Sequence, residues 1–436
     1  MEPESLSRYD DILVTFRCRE ILREYDIVEV EVEIRESVVT YSAGPKLLTS
    51  VYSSDPTVEA REPLTTTLGL TISALSTPWV EGTGAFFITD GRRPERLLLV
   101  TTRHAIFAPE KDKNDHFEYR DGGQCRYDVT VFGDAGFNKY IESIQGKIEG
   151  KEYDAEYQER CIEAAEEEDD LAAEKRRDEL AVEKRRYELN KRKLDKTRKA
   201  KKKPDEFYEE VSTQWTTRES RIIGRVILSP PISVGVGSEG YTEDWAVIEI
   251  DASKVDASNF KGNTINLTGI QLGEFIRKVY PNYSSGGSDP FPYPFNGLLE
   301  LKGTIPDEEM RKLTTFDKKG DPCLMVIKRG STTGLTIGRA NDVYSCARDC
   351  SNDGDTKISK EWTILSFDSK PGTFSKKGDL GSIIVDGSGR IGGLLAGGAG
   401  AASFPDLAYT TPINFLLKRM QEKGIHEPNI DLVLTA

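Results

Sequence analysis

Apolar and polar residues alternate along Asp26-Ile27-Val28-Glu29-Val30-Glu31-Val32-Glu33-Ile34. A period of two puts one set of side chains on each face of an extended chain, so this stretch reads as a half-solvated strand. On it rests the expectation that residues 1–65 form a β-rich lead segment. After Pro63 the pattern becomes a series of short, nearly continuous apolar runs, Leu68–Ile72, Gly82–Ile88 and Arg96–Thr102. Turn-forming Gly, Pro and Asp separate them, as in Asp90-Gly91-Arg92-Arg93-Pro94. Short strands at this spacing suggest a sandwich or barrel over residues 66–140.

Residues 141–210 break that pattern. They are nearly free of Gly and Pro and rich in Glu, Lys, Arg and Ala, which favour helix. The acidic part comes first, with Glu166-Glu167-Glu168-Asp169-Asp170, and the basic part follows, with Lys191-Arg192-Lys193 and Lys201-Lys202-Lys203. That order suits a helix dipole. Ala173, Leu180, Tyr187 and Leu194 recur every seven residues, but Arg176, Glu183 and Asn190 hold the companion positions. A tight coiled coil would want both sets apolar. The stretch reads as a charged, coiled-coil-like helical insertion, as a solvated helix or helical hairpin. A protein–protein coiled coil and a nucleic-acid arm using the Lys/Arg end are the alternatives.

Strand patterning resumes at Ile222–Leu228 and continues at Trp245–Ile250. Residues 211–260 are therefore expected to complete the first barrel, and residues 261–320 to form a loop-rich link. A second barrel over 321–420 is expected from the runs at Cys323–Lys328, Leu335–Arg339, Trp362–Phe367, Ser382–Val385 and Ile391–Leu395. A helix from about Pro412 to Lys423 leads into a tail over 421–436. The helical insertion thus splits one all-β unit and does not separate two independent domains.

Composition narrows the classes. The chain has 436 residues, 30% of them charged, with 59 basic against 73 acidic residues and a net charge of −14. This acidity argues against a general nucleic-acid binder. No apolar run is long enough to span a bilayer, and the acidic start Met1-Glu2-Pro3-Glu4-Ser5 lacks the apolar core of an export signal. No membrane association is expected. Six cysteines are sparse, so reduced thiols and a cytoplasmic setting are expected. Cys346 and Cys350 lie close together, but no second Cys/His pair stands at zinc spacing. Neither a metal nor a cofactor is expected.

Three residues could carry acid–base chemistry. Of the three histidines, His104 ends the apolar run Leu99-Val100-Thr101-Thr102-Arg103. A histidine there is commonly structural, yet imidazole is also the usual proton shuttle near neutral pH. Asp244 opens the run Trp245-Ala246-Val247-Ile248. An acid at such a place is commonly a turn residue, but a buried Asp beside His fixes the imidazole tautomer. Gly378-Asp379-Leu380-Gly381-Ser382 is a Gly-rich turn entering a strand, able to aim backbone N–H groups at one point.

Taken in order, these segments resemble the trypsin-like (chymotrypsin-fold) serine peptidases. The resemblance rests on Gly82-Thr83-Gly84-Ala85-Phe86, Thr101-Thr102-Arg103-His104, Asp244-Trp245-Ala246-Val247 and Gly378-Asp379-Leu380-Gly381. Lys328-Arg329-Gly330-Ser331-Thr332-Thr333-Gly334 and Gly393-Leu394-Leu395-Ala396-Gly397-Gly398 are similar to two further family segments. In particular the chain resembles intracellular fungal members. The resemblance covers about 66–140 and 221–420. It implies an all-β double barrel carrying the helical insertion between its His and Asp motifs. It also implies His104 and Asp244 as catalytic-type residues, Gly378 and Leu380 as oxyanion donors, and Phe374, Ala396 and Gly397 around a substrate pocket.

The nucleophile position holds Leu380, and an isobutyl group has neither a lone pair nor a proton to give. Ser382 lies about 6–7 Å farther along an extended chain, too far to replace it. Ser375 is no better placed. Phe374 stands where trypsin has an acid, so an Arg/Lys-selective pocket is not expected. The resemblance therefore implies an inactive homologue that binds a peptide or protein in its cleft, with a protein partner on helix 141–210. Two alternatives stay open: an active serine endopeptidase, and a scaffold acting through the helical insertion.

Overall fold

The computed structural model describes residues 8–27, 30, 32, 44–52, 54–120, 126–171, 177–279, 293–317, 319–350, 356–367, 374–401 and 404–432. The chain forms two compact units, 1–43 and 44–436. In the first, Arg8–Glu24 is a helix, α1. Helix therefore stands in a segment expected to be β-rich. Its residues, which include four arginines and two glutamates besides Leu, Ile and Phe, carry no period of two. Much of the alternating stretch 26–34 lies outside the described residues.

In the second unit a short helix, α2 (Val58–Arg61), precedes the strands. The strands run β1 (Thr71–Ala74), β2 (Gly82–Thr83), β3 (Phe86–Asp90), β4 (Arg93–Thr101), β5 (Phe117–Glu118) and β6 (Asp128–Val131). After two long helices, α3 (Asp134–Leu171) and α4 (Arg177–Gln214), come β7 (Ile222–Ser229), β8 (Ser233–Val236), β9 (Tyr241–Glu243) and β10 (Ala246–Ile250). The link expected to be loop holds β11 (Thr264–Asn266), α5 (Leu272–Val279), β12 (Leu298–Glu300) and α6 (Asp307–Arg311). The chain then runs through β13 (Leu324–Gly330), β14 (Gly334–Cys350), β15 (Thr356–Ser366), β16 (Ile383–Asp386), β17 (Ile391–Ala401), β18 (Phe404–Pro412) and α7 (Ile413–Lys423).

Outside the helical hairpin the body is mostly β. One sheet curls in the order β2-β1-β6-β7-β10-β4-β3, with β5 against β7. The other has the order β14-β13-β16-β17-β18-β15-β9-β8. Residues 233–243 were expected in the first sheet but pair in the second. Pro230-Pro231 end β7 by removing two backbone donors, which releases the chain to cross over.

Strand periodicity explains the packing of the second sheet. Met325, Ile327, Ile383 and Val385 enter a large core shared with the first sheet, whereas Leu324, Val326 and Ile384 enter a smaller cluster with Trp362 and Phe374.

The helices of the insertion are anchored at their base. Phe137, Tyr140, Ile144 and Ile148 on α3 share one face, as do Phe207 and Val211 on α4 with Trp215 just past its end, and both faces join the large core. This packing carries α4 through Pro204, although an internal proline costs about 3 kcal/mol. Farther out the helices hold each other by polar contacts. Arg198 meets Glu159 at 2.5 Å, Lys201 pairs with Glu152, and Lys151 donates to the Ala200 carbonyl at 3.1 Å. Among the described residues no helix is long and apolar enough to cross a membrane.

Candidate active site

β4 and β10 are antiparallel, with Ala246 across from Thr101 and Val247 across from Val100. Extending that register by two residues sets Asp244 across from Arg103, beside His104. The chain turns there in a single 3-10 turn, Arg103–Ala105. Asp244 is almost fully buried and accepts from the His104 backbone N–H at 3.2 Å, while its other oxygen lies 2.5 Å from Nδ1. Burial pushes the imidazole pKa down, but the charge and hydrogen bond of Asp244 outweigh it, and the net shift is upward. Nδ1 is thereby the protonated nitrogen in the neutral ring. Nε2 is buried and meets no hydrogen-bond partner among the described residues, although the ring as a whole is 24% exposed.

Arg103 braces the turn from behind. Its guanidinium donates to the Ser229 hydroxyl at 2.9 Å and to the carbonyls of Lys113 and Asp115 at 3.1 and 2.8 Å. It also stacks on Phe107, 4.2 Å from the ring centre. Arg103 is only 2% exposed. Nothing in the sequence marked it, since an arginine is ordinarily read as a surface residue.

The 378–382 turn arrives from the second sheet. Gly378 and Gly381 have φ of +100° and +90°, a region that favours glycine. The Asp379 N–H donates to the Lys376 carbonyl at 3.0 Å, and the Gly381 N–H to the Leu395 carbonyl at 2.8 Å. Neither the Gly378 nor the Leu380 N–H donates to any group among the described residues. Those are the two donors expected for an oxyanion.

Thr83 joins this turn to the first sheet. Its N–H donates to the Leu380 carbonyl at 2.9 Å, and its hydroxyl donates to the Gly378 carbonyl at 2.9 Å while accepting from the Ser331 N–H at 3.1 Å. The neighbouring Gly82 has no room for a side chain, since a Cβ there would stand 2.4 Å from the Ala105 Cβ and 3.5 Å from the Leu380 carbonyl oxygen. Gly82 thus stands next to both Ala105, which follows His104, and the turn. Thr83 lies within the Gly82-Thr83-Gly84-Ala85-Phe86 segment, where nothing local marks this role.

Leu380 is half-buried and packs on the smaller core cluster. Ser382 is fully buried, its hydroxyl donating to the Asp379 carbonyl at 2.5 Å. Ser375 is also buried. Phe374 is 2% exposed and packs with Trp362 and Ile364 in the smaller cluster, its carbonyl accepting from the Thr336 hydroxyl. Ala396 and Gly397 are half-buried on β17, and a Cβ on Gly397 would meet nothing within 4 Å. Over Gly397–Ala401 β17 pairs with β18, while its pairing with β16 stops at Leu394. Among the described residues that edge of β17 has no strand partner.

A charged pair lies beneath the turn. Lys328 on β13 and Asp379 are both 0% exposed, with Nζ 3.2 Å from the carboxylate. Asp379 further accepts from the N–H groups of Thr332, Thr333 and Lys376 at 2.9, 3.0 and 2.9 Å, and from the Thr333 hydroxyl at 2.7 Å. Four donors and one cation therefore hold a single carboxylate.

No family model matches this chain, and no curated protein matches it. Several solved structures are similar. One is a glutamic acid-specific serine protease that uses a histidine triad in substrate binding, 12% identical over 81% of this chain and 96% of that one, TM-score 0.32. A protease of M. tuberculosis in its active form is 12% identical over 92% of this chain and 100% of that one, TM-score 0.30. The chymotrypsin of Cellulomonas bogoriensis is 16% identical over 45% of this chain and 82% of that one, TM-score 0.21. Likenesses this low carry no argument about function, and the geometry around His104 stands on its own.

Proposed function

We propose that this chain is a double-barrel homologue of the trypsin-like serine peptidases that binds a peptide or protein without cutting it. The observation that carries the reading is the meeting of three parts. They are a partly buried His104–Asp244 pair, a turn with two N–H groups that donate to nothing among the described residues, and an aliphatic Leu380, with Gly82 and Thr83 touching the turn. His104 could take a proton, but Leu380 has none to give. The two backbone donors survive the side-chain change and can still grip a carbonyl. The unpaired edge of β17 at Gly397–Ala401 would let an extended peptide add as a strand.

A fluorophosphonate probe tests this. The unaltered protein is expected to stay unlabelled, and Leu380→Ser to gain labelling. In that reaction the new serine oxygen bonds phosphorus, fluoride leaves, and the serine proton passes to Nε2 of His104. Stoichiometric labelling of the unaltered protein would establish an active endopeptidase instead.

A further inference from the structure

Between Lys191 and Lys203, α4 carries nine basic residues and one acid, Asp195. The structure sorts these cations by direction. Leu194 is 8% exposed and marks the buried side of the helix. At about 100° per residue, Arg198 and Lys201 lie within about 40° of that side. These are the two that α3 neutralises, through Glu159 and Glu152. Arg192, Lys196, Lys199 and Lys203 lie within about 40° of the opposite direction and form one outward row. Lys203, at its base, meets Asp55 at 2.7 Å. Arg192, Lys196 and Lys199 are exposed, and among the described residues none has a carboxylate within ion-pairing distance. Lys193 flanks the row and is exposed too. Asp195 stands about 80° away from it.

The net charge of −14 does not cancel this row. The anchor of α4 in the core is Phe207, and Lys199 and Arg192 precede it by about 12 and 22 Å of helix. Charges in water are screened over about 8 Å at physiological salt. The row therefore presents its own sign to a partner.

The chemistry of the row selects among polyanions. A bilayer takes up a helix by its apolar face, and the row holds no apolar residue. An acidic polypeptide gains little from exposed ion pairs alone, each worth under about 1 kcal/mol, and needs buried anchors as well. A nucleic acid is different, because each phosphate neutralised releases condensed counterions, so that cations alone suffice. No aromatic ring stands in the row to stack on unpaired bases, which leaves the backbone of a duplex.

We propose that the outward row Arg192–Lys196–Lys199 of the helical hairpin is a sequence-independent docking surface for the phosphodiester backbone of a nucleic-acid duplex. The surface is separate from the cleft and stands whether or not the cleft binds a peptide.

Fluorescence anisotropy of the full chain with a labelled 20-base-pair DNA duplex, and with the RNA duplex of the same sequence, tests this. Affinity for at least one duplex is expected to fall with salt at a logarithmic slope of about −3 to −4, as three or four phosphate contacts require. The tighter of the two names the source of the backbone. A scrambled sequence is expected to bind within about threefold. Arg192→Gln with Lys196→Gln and Lys199→Gln keeps helix-favouring residues at exposed positions. It is expected to weaken binding at least about tenfold at low salt and to reduce the slope by about 3. Arg198→Gln, on the neutralised seam, is expected to stay within about threefold. Circular dichroism of the triple variant is expected to match the unaltered protein. Should it show lost helix, Lys196→Gln and Lys199→Gln made singly decide, each expected to reduce the slope by about 1. Absence of binding to both duplexes would overturn the proposal, as would a salt slope unmoved by the substitutions. So would competition by polyglutamate at equal charge as strong as by the unlabelled duplex, or binding to phosphatidylserine vesicles with none to either duplex.

Discussion

The helical hairpin and the turn beneath the cleft are both held by lysine and arginine paired with carboxylates, yet the pairs differ in every physical respect. In the hairpin Arg198 and Glu159 are 62% and 39% exposed, and the pair lies in water. Water screens such a pair and two long side chains lose freedom in forming it, so its net worth is small. Beneath the turn Lys328 and Asp379 are both fully buried. There the pair need not add net stability, but losing one partner leaves a bare charge in the core. One chain thus uses the same chemistry to trim a surface and to pin a site. Two such pairs, Arg198 with Glu159 and Lys201 with Glu152, join α4 to α3 across the hairpin.

The sharpest way to break this contrast is to remove one charge at each place. Lys328→Met is expected to lower unfolding stability by about 3–5 kcal/mol in urea titrations. A loss below about 1 kcal/mol would put the buried pair in the same class as the surface ones. Next in size is Gly82→Ala, which forces a Cβ onto Ala105 and should cost about 1–3 kcal/mol through overpacking. Thermal melts would show it, and an unchanged melting temperature would mean that the seam between the turn and β2 is loose.

The His104–Asp244 pair lies between these extremes, because the ring is partly exposed and its effect depends on pH. The folded-state pKa is raised, so protonation favours the folded chain. That contribution is complete below the unfolded histidine value of about 6.5 and is lost as pH rises through the raised folded value. Stability of the unaltered protein minus that of His104→Gln should therefore shrink from pH 5 to pH 9. A flat or rising difference would contradict the pairing. The smallest effect is expected for Arg198→Ala, under about 1 kcal/mol and weaker still in high salt.

The sequence carried part of this picture, for identifiable reasons. His104 and Asp244 were legible because each ends an apolar strand, and antiparallel register brings strand ends together. The helical insertion was legible from its composition, and its hairpin form was among the expected outcomes. Thr83 and Arg103 were not legible, because their roles arise from hydrogen bonds to residues far away in sequence, such as Gly378 and Ser229. Lys328 opens the Lys328–Gly334 segment, but nothing local shows that a lysine will be buried. The transfer of residues 233–243 into the second sheet was hidden too, since strand patterning records burial and not the choice of sheet. Phe374 went where its hydrophobicity sends it, into the smaller core cluster.

Thr83 holds the turn entirely by main-chain atoms, the carbonyls of Gly378 and Leu380. Nothing in that attachment reads the side chain at position 380. The frame is therefore indifferent to whether the residue it displays is reactive or inert. Exchanging the side chain at position 380 is therefore expected to leave both attachments in place.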